Sequence, residues 1–208
     1  MEGPLCPDGT RLIETLKWNG GQLVRAARHL ARLRASASAL GFAIDAPALR
    51  RALAGIDGAD PQRVRLTLGK TGDIEISATP LAPSAAAWRL TLAGDRLSSD
   101  DPLLRHKTTH RPLYDRARAT LPEGIDEMIF ANEHGEICEG TITSVFFDLG
   151  RGLATPPLRC GCLPGILRAE MLDRGICHEA VLNIRELPGA RLWVGNSLRG
   201  LIPSHLAP

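Results

Sequence analysis

The sequence predicts an α+β fold in two unequal lobes, a small α/β lobe over residues 1–80 and a larger, strand-rich lobe over 84–208. Three observations predict it. An amphipathic helical run closed by a glycine is followed by a second helical run and a pair of strand patterns. The stretch "TPLAPSAAA" then interrupts the chain, rich in Pro, Ala and Ser and without an apolar period. Beyond it short strands outnumber helices, which favours α+β over a regular alternation of strand and helix.

Taken in order, "VRAARHLARLRASASALG" places Val24, Ala27, Leu30, Ala31 and Leu33 at spacings of three and four, with Gly41 as the stop. "APALRRALAGI" reads as a second helix, and "RVRLTLG" and "DIEISATPL" as a hairpin about "KTG". The second lobe opens on the strand "WRLTLAG" and reaches "RHKTTHR". The helix "PLYDRARATL" follows, with Thr109 as candidate cap and Pro112 in the first turn. "EMIFANEHGEICEGTITSVFFDL" reads as two alternating strands folded over at "NEHGE". The loop "ATPPLRCGCLPG" leads into the helix "ILRAEMLDRG", and "RLWVGNSLRGLIPSHL" is an apolar strand that breaks into a polar turn.

Composition narrows the function. A chain of 208 residues with 44% hydrophobic and 23% charged content has enough apolar side chains for real cores. Its net charge is only +2 and its 25 basic residues are spread along the chain, unlike the basic face of a nucleic-acid binder. No run of about 18 apolar residues suggests a membrane span, and "MEGPLCPDGTRLIETL" lacks the layout of a signal peptide, so a cytoplasmic location is expected. The five cysteines read as reduced thiols. "CGC" followed by "CH" does not have the paired spacing of a structural zinc site, and no metal is expected.

The polar anomalies fall in a definite order: Arg32 on the first helix, Lys107 between strand and helix, Glu139 within "ICEGTITSVFF", "LPGI" before a helix, and "GNSLRG" ending the last strand. Read alone, Lys107 is either a solvated cation or an amine made nucleophilic by neighbouring positive charge. Glu139 is either a strand-end glutamate facing water or a buried acid that needs a cationic partner. "PGI" is either a plain junction or a set of N–H groups at the positive end of a helix dipole, suited to a phosphate. Together, an amine, a buried acid, an arginine and an N–H-rich helix start are the parts that hold pyridoxal phosphate.

At this point the chain resembles the class IV, or fold-type IV, pyridoxal-phosphate enzymes. These include branched-chain aminotransferases, D-amino acid aminotransferases and 4-amino-4-deoxychorismate lyases. The segments that carry the resemblance are "LIETLKW", "HLARLRASASALG", "HKTTHR", "NEHGEICEGTITSVFF", "TPPLRCGCLPGILR" and "GNSLRGLIP", in the family's order over nearly the whole chain. The resemblance implies a two-domain fold like that of D-amino acid aminotransferase, with the catalytic lysine in the larger domain. It implies pyridoxal 5′-phosphate as cofactor, a small-molecule amine as substrate, and a homodimer with substrate pockets near the subunit interface.

The resemblance also implies roles. Lys107 would be the amine that bonds to the cofactor and then moves protons on the substrate. Glu139 would pair with the pyridine nitrogen and keep it protonated. Arg32 would hold the phosphate, joined by the backbone N–H groups of Ile166 and Leu167 and the Ser197 hydroxyl. Arg111, Arg105, Arg199 and Asn196 are the candidates for holding substrate, with Arg111 first.

The chain departs from the family pattern in places. Leu167 stands where many members have a hydroxyl side chain and offers only its N–H. Pro112 stands where branched-chain aminotransferases have a tyrosine, so the cofactor's phenolic oxygen needs another donor. Ser144 replaces a common asparagine, and the amino terminus "PDGTRLIETL" is short. The ending "GNSLRGLIP" and the run "HKTTHRPLYDRA" look more like the lyases than the aminotransferases. The lyase, which releases pyruvate and 4-aminobenzoate, is therefore the expected activity. An aminotransferase of branched-chain or D-amino acids is the alternative, and a non-enzymatic binding module is the second alternative.

Overall fold

Alternation along "LIETLKW" puts Leu12, Glu14 and Leu16 on one face of strand β1, Leu12–Trp18, and that face is the buried one. In the computed structural model, which describes residues 6–207, β1 is flanked by β2 (Leu23–Val24) and β3 (Gln62–Leu68), and β3 by β4 (Ile74–Pro80). The sheet is antiparallel, in the order β2-β1-β3-β4. Its register sets Leu12 opposite Leu68, Glu14 opposite Leu66 and Leu16 opposite Val64. A carboxylate therefore sits in an otherwise apolar row.

Helix α1, Ala26–Leu40, ends at Gly41, whose left-handed φ of 67° lets its N–H reach back to Ala37 O. Its buried stripe is His29, Leu33, Ser36, Ala37 and Leu40. Of the apolar set expected from spacing only Leu33 is buried, and Ala27 and Ala31 face outward, because polar His29 and Ser36 occupy the inner face. Helix α2, Ala46–Ala54, is capped by Asp45, which accepts from the Ala48 N–H at 2.9 Å.

Residues 106–110 join this unit, which otherwise runs to Pro83; a second unit comprises Ser84–Arg105 and the chain from Arg111 onward. The lysine segment thus lies with the smaller unit and not, as sequence order suggested, with the larger. Hydrogen bonds across the start of β1 explain this. Ile13 N–H donates to Lys107 O at 2.8 Å, Thr109 N–H to Arg11 O at 2.9 Å, and Leu12 and Thr108 form a bridge. Thr109 is drawn into that pairing, its hydroxyl accepting from Arg11 N–H. It does not cap the following helix α3, Pro112–Ala119, whose cap position is Arg111 with no side-chain bond; Pro112 does occupy the first turn.

The second unit holds β5 (Trp88–Leu97), β6 (Glu127–Asn132), β7 (Ile137–Gly140), β8 (Ser144–Asp148), β9 (Ala154–Thr155), helix α4 (Ile166–Asp173), β10 (His178–Glu179), β11 (Arg191–Asn196) and β12 (Gly200–Leu206). The order is β10-β9-β8-β11-β12-β5-β6-β7, and β7 also pairs with β8 through Glu139 opposite Ser144. That pairing closes the sheet into a barrel-like ring. Its apolar filling includes Leu90, Ile129, Ala131, Ile137, Val145 and Val194, all fully buried. The segment expected to give two strands gives three, because the chain turns a second time at 141–143. Among the described residues no helix is long and apolar enough to cross a membrane, and no cluster of three or more His, Cys, Asp or Glu is placed to hold a metal.

Candidate active site

The smaller unit carries Lys107 and Arg32. Lys107 is half-buried, with its backbone pinned by the pairing to β1. Its neighbour His106 bonds through Nδ1 to Ser36 Oγ at 3.0 Å, and burial holds its pKa below the ordinary histidine value. At neutral pH His106 is thus an uncharged neighbour, so it adds nothing to the positive crowding expected around Lys107.

Arg32 projects from α1 onto Glu14 of β1. Its Nε donates to Oε1 at 2.9 Å and its Nη2 to Oε2 at 2.7 Å, a bidentate pair. His29, one turn earlier, meets Oε2 through Nδ1 at 2.6 Å. Burial acts to raise the Glu14 pKa, but Arg32 and His29 outweigh it and hold the carboxyl below its ordinary value. Glu14 and His29 went unread in the sequence. The available signal was a charged residue at the inward position of an alternating strand.

The larger unit carries the other candidates. Glu139, near the end of β7, is 7% exposed. Its Oε1 accepts from the Tyr114 hydroxyl at 2.6 Å and its Oε2 from the Leu163 N–H at 3.1 Å. The Tyr114 ring stands edge-on to Phe130, centroids 5.1 Å apart, and beneath the Arg111 guanidinium at 4.9 Å. Burial first, and then the charge and hydrogen bond of Glu139, push the Tyr114 phenol far above its usual range. Tyr114 also went unread, though it is the only tyrosine in the chain.

A second buried carboxylate shapes the turn beyond Glu139. Glu127, fully buried on β6, accepts from Thr141 N–H at 3.1 Å, Ile142 N–H at 3.2 Å, Thr143 Oγ1 at 3.0 Å, Met128 N–H at 3.0 Å and the Thr141 hydroxyl. That cluster is what breaks the expected long strand.

Helix α4 starts at Ile166 after Gly165, with no side-chain cap, so its first N–H groups have no intrahelical or capping partner. Ser144 backs this start closely: a Cβ added at Gly165 would lie 2.4 Å from Ser144 Oγ. Leu167 is buried with Phe146, Met171 and Cys177, and a Cβ at Gly195 would meet it at 2.8 Å. Its side chain therefore packs the helix, and only its N–H is left to bind. Ser197 is buried in the turn between β11 and β12. Asn196 builds that turn, accepting from Leu198 and Arg199 N–H and donating to Ile142 O at 3.2 Å.

The three candidate arginines are all engaged. Arg105 donates through Nη1 to Leu158 O and Cys162 O, bracing the loop before α4. Arg111 donates to Thr141 O and to Asp115 at 3.2 Å. Arg199 stands over the Trp88 ring at 5.9 Å.

The pattern of the family described as Amino-transferase class IV matches residues 11–206. The chain belongs to that family. Its cofactor is therefore pyridoxal 5′-phosphate, and the chain is an enzyme rather than a bare binding module. A protein of Schizosaccharomyces pombe named "Putative aminodeoxychorismate lyase" is 30% identical over 181 residues, 82% of this chain and 76% of that protein. An aminodeoxychorismate lyase of Saccharomyces cerevisiae is 28% identical over 188 residues, covering 67% of this chain but only half of its own length. The crystal structure of a "Putative amino-acid aminotransferase" from Mesorhizobium loti superposes with a TM-score of 0.88 at 51% identity, over 95% of this chain and 100% of that one.

The residues present fit the cofactor. Glu139 is a buried acid with a donor on each oxygen, the kind of group a protonated ring nitrogen requires. The uncapped start of α4, where Ser144 leaves no room for a Cβ on Gly165, gives an anion direct access to backbone N–H groups.

Proposed function

We propose that the chain is a lyase of 4-amino-4-deoxychorismate, releasing pyruvate and 4-aminobenzoate. The observation that carries the reading is the 30% identity over 82% of the chain to the S. pombe relative named for that activity. In this reading Arg32, the Ile166 and Leu167 N–H groups and the Ser197 hydroxyl hold the cofactor's phosphate. When bound, the cofactor supplies an electron sink for the carbon that bears the substrate's amine. The Lys107 amine takes the proton from that carbon and returns one later. The Glu139 carboxylate keeps a proton on the ring nitrogen, so that the sink stays electron-poor.

The substrate carries two carboxylates and needs cations beyond those on the phosphate. A guanidinium has five N–H donors, and Arg111 uses Nε and Nη2 on Asp115 and Thr141, so Nη1 can meet a carboxylate. Arg105, Arg199 and Asn196 complete the candidate set. The proposed assembly is a homodimer, which sedimentation of the loaded protein tests.

The M. loti structure, more similar in sequence and named for another activity, favours a second reading as an amino-acid aminotransferase. One assay decides. Pyruvate release from 4-amino-4-deoxychorismate with no keto acid present supports the lyase. Failure there, with transfer of an amino group from a plain amino acid to a keto acid, supports the aminotransferase.

A further inference from the structure

We infer that Tyr114 is the positioning residue of Glu139, its hydroxyl fixing the carboxylate's orientation and its readiness to hold a proton on the cofactor's ring nitrogen. The inference rests on the proposed pairing of Glu139 with that nitrogen. Each oxygen of the carboxylate accepts a hydrogen bond within this unit, Oε2 from Leu163 N–H at 3.1 Å and Oε1 from Tyr114 Oη at 2.6 Å. The first is backbone and present with any residue. The second is a choice of side chain.

Tyr114 is itself immobilised. Phe130 meets its ring edge-to-face, Arg111 covers the ring, and Arg111 is anchored on Thr141 O and Asp115. Burial and the charge of Glu139 keep the phenol protonated at any working pH, so it is a permanent donor. Titratable groups that face the pair in this unit include Arg111 and the Cys138 and Cys162 thiols, which burial also keeps protonated.

A donor to the ionised form makes a carboxylate less basic. A more basic Glu139 would draw the proton away from the ring nitrogen. The Tyr114 hydroxyl therefore sets where the shared proton rests.

The test reads the absorbance of the loaded protein against pH, which reports the proton on the cofactor and needs no turnover. Tyr114→Phe should move the midpoint by about one unit, since a hydrogen bond to a charged group is worth roughly tenfold or more in equilibrium. Tyr114 is the sole tyrosine, so growth on 3-fluorotyrosine alters one residue only. Its more acidic phenol donates more strongly, and the midpoint should move the opposite way. This second variant keeps the ring and stands if the phenylalanine variant fails to fold. Glu139→Gln serves as the control. If it shifts the titration and neither tyrosine variant does, Tyr114 is only a packing residue and the inference is overturned. If Glu139→Gln leaves the titration unmoved, the pairing of Glu139 with the ring is wrong, and the inference falls with it.

Discussion

Arg32 meets Glu14 through two parallel hydrogen bonds, Nε to Oε1 and Nη2 to Oε2, on the apolar face of the smaller sheet. An arginine on an exposed helix face would be free to swing. This one is held in a single orientation by a carboxylate 2% exposed. Glu14→Gln removes the charge that balances it and should cost about 3 kcal/mol of stability, the usual cost of breaking a buried pair on one side. The urea midpoint measures it. An unchanged midpoint would mean that Glu14 is a passenger in the sheet.

Acid should loosen the smaller unit in two stages. The folded pKa of His106 lies below 6.5, so its contribution to stability is present above that pH and fades as pH falls through the folded value. Glu14 is also depressed, from 4.5, and its contribution fades in the same direction at lower pH. Unfolding free energy should therefore fall on acidification from neutral pH. Glu14→Gln should flatten the lower stage and leave the upper one.

Lys107→Ala should abolish turnover and leave the fold intact. The segment is placed by backbone pairings, Lys107 O with Ile13 N–H and Arg11 O with Thr109 N–H, which the substitution leaves available. The visible band of the loaded protein, and its loss on borohydride treatment, should both disappear, while circular dichroism stays as in the wild type. Wild-type activity in this variant would put the reactive amine elsewhere.

Local patterns were legible where local forces decide. Gly41 ended α1 and the "KTG" turn joined β3 to β4, because glycine conformation and strand alternation act over a few residues. What escaped was set by distant partners. Nothing near Lys107 in sequence reveals that Ile13 and Arg11 claim its segment. Nothing in "EGTIT" announces a turn whose organiser, Glu127, lies fourteen residues before Thr141. Of the candidate site, the residues whose side chains carry chemistry of their own could be named from the sequence, whereas Glu14, His29 and Tyr114, which bond to one another or to those residues, could not.

The thiols should be slow to react. Cys138, Cys160, Cys162 and Cys177 are buried, and burial lifts their pKa, with Cys160 and Cys162 pushed up to about 12. Thiolate is the reactive form, so at pH 8 these four should resist a thiol reagent until denaturant is added. Cys6, partly exposed, should react first. Rapid titration of all five in the native protein would contradict the packing around Glu139.

The turn between Glu139 and Ser144 offers the sharpest test of how the candidate site is built. Glu127 receives four hydrogen bonds from that turn, and a fifth from Met128 N–H, as an acceptor-only carboxylate. Glu127→Gln keeps the shape but turns an N–H2 group toward donors, so at least one of Thr141, Ile142 or Thr143 loses its partner. The cost should be about 3 kcal/mol, since donors left buried and unpaired carry their full desolvation penalty. Gly140→Ala attacks the same turn sterically, because its Cβ would lie 2.3 Å from Thr143 Oγ1 and 3.0 Å from Glu127. Both variants should speed hydrogen exchange at Gly140, whose N–H bonds Thr143 O, more than at Ile129 or Val194 in the barrel core. Uniform acceleration would instead mean that the turn has no stability of its own and that Glu127 serves the barrel as a whole.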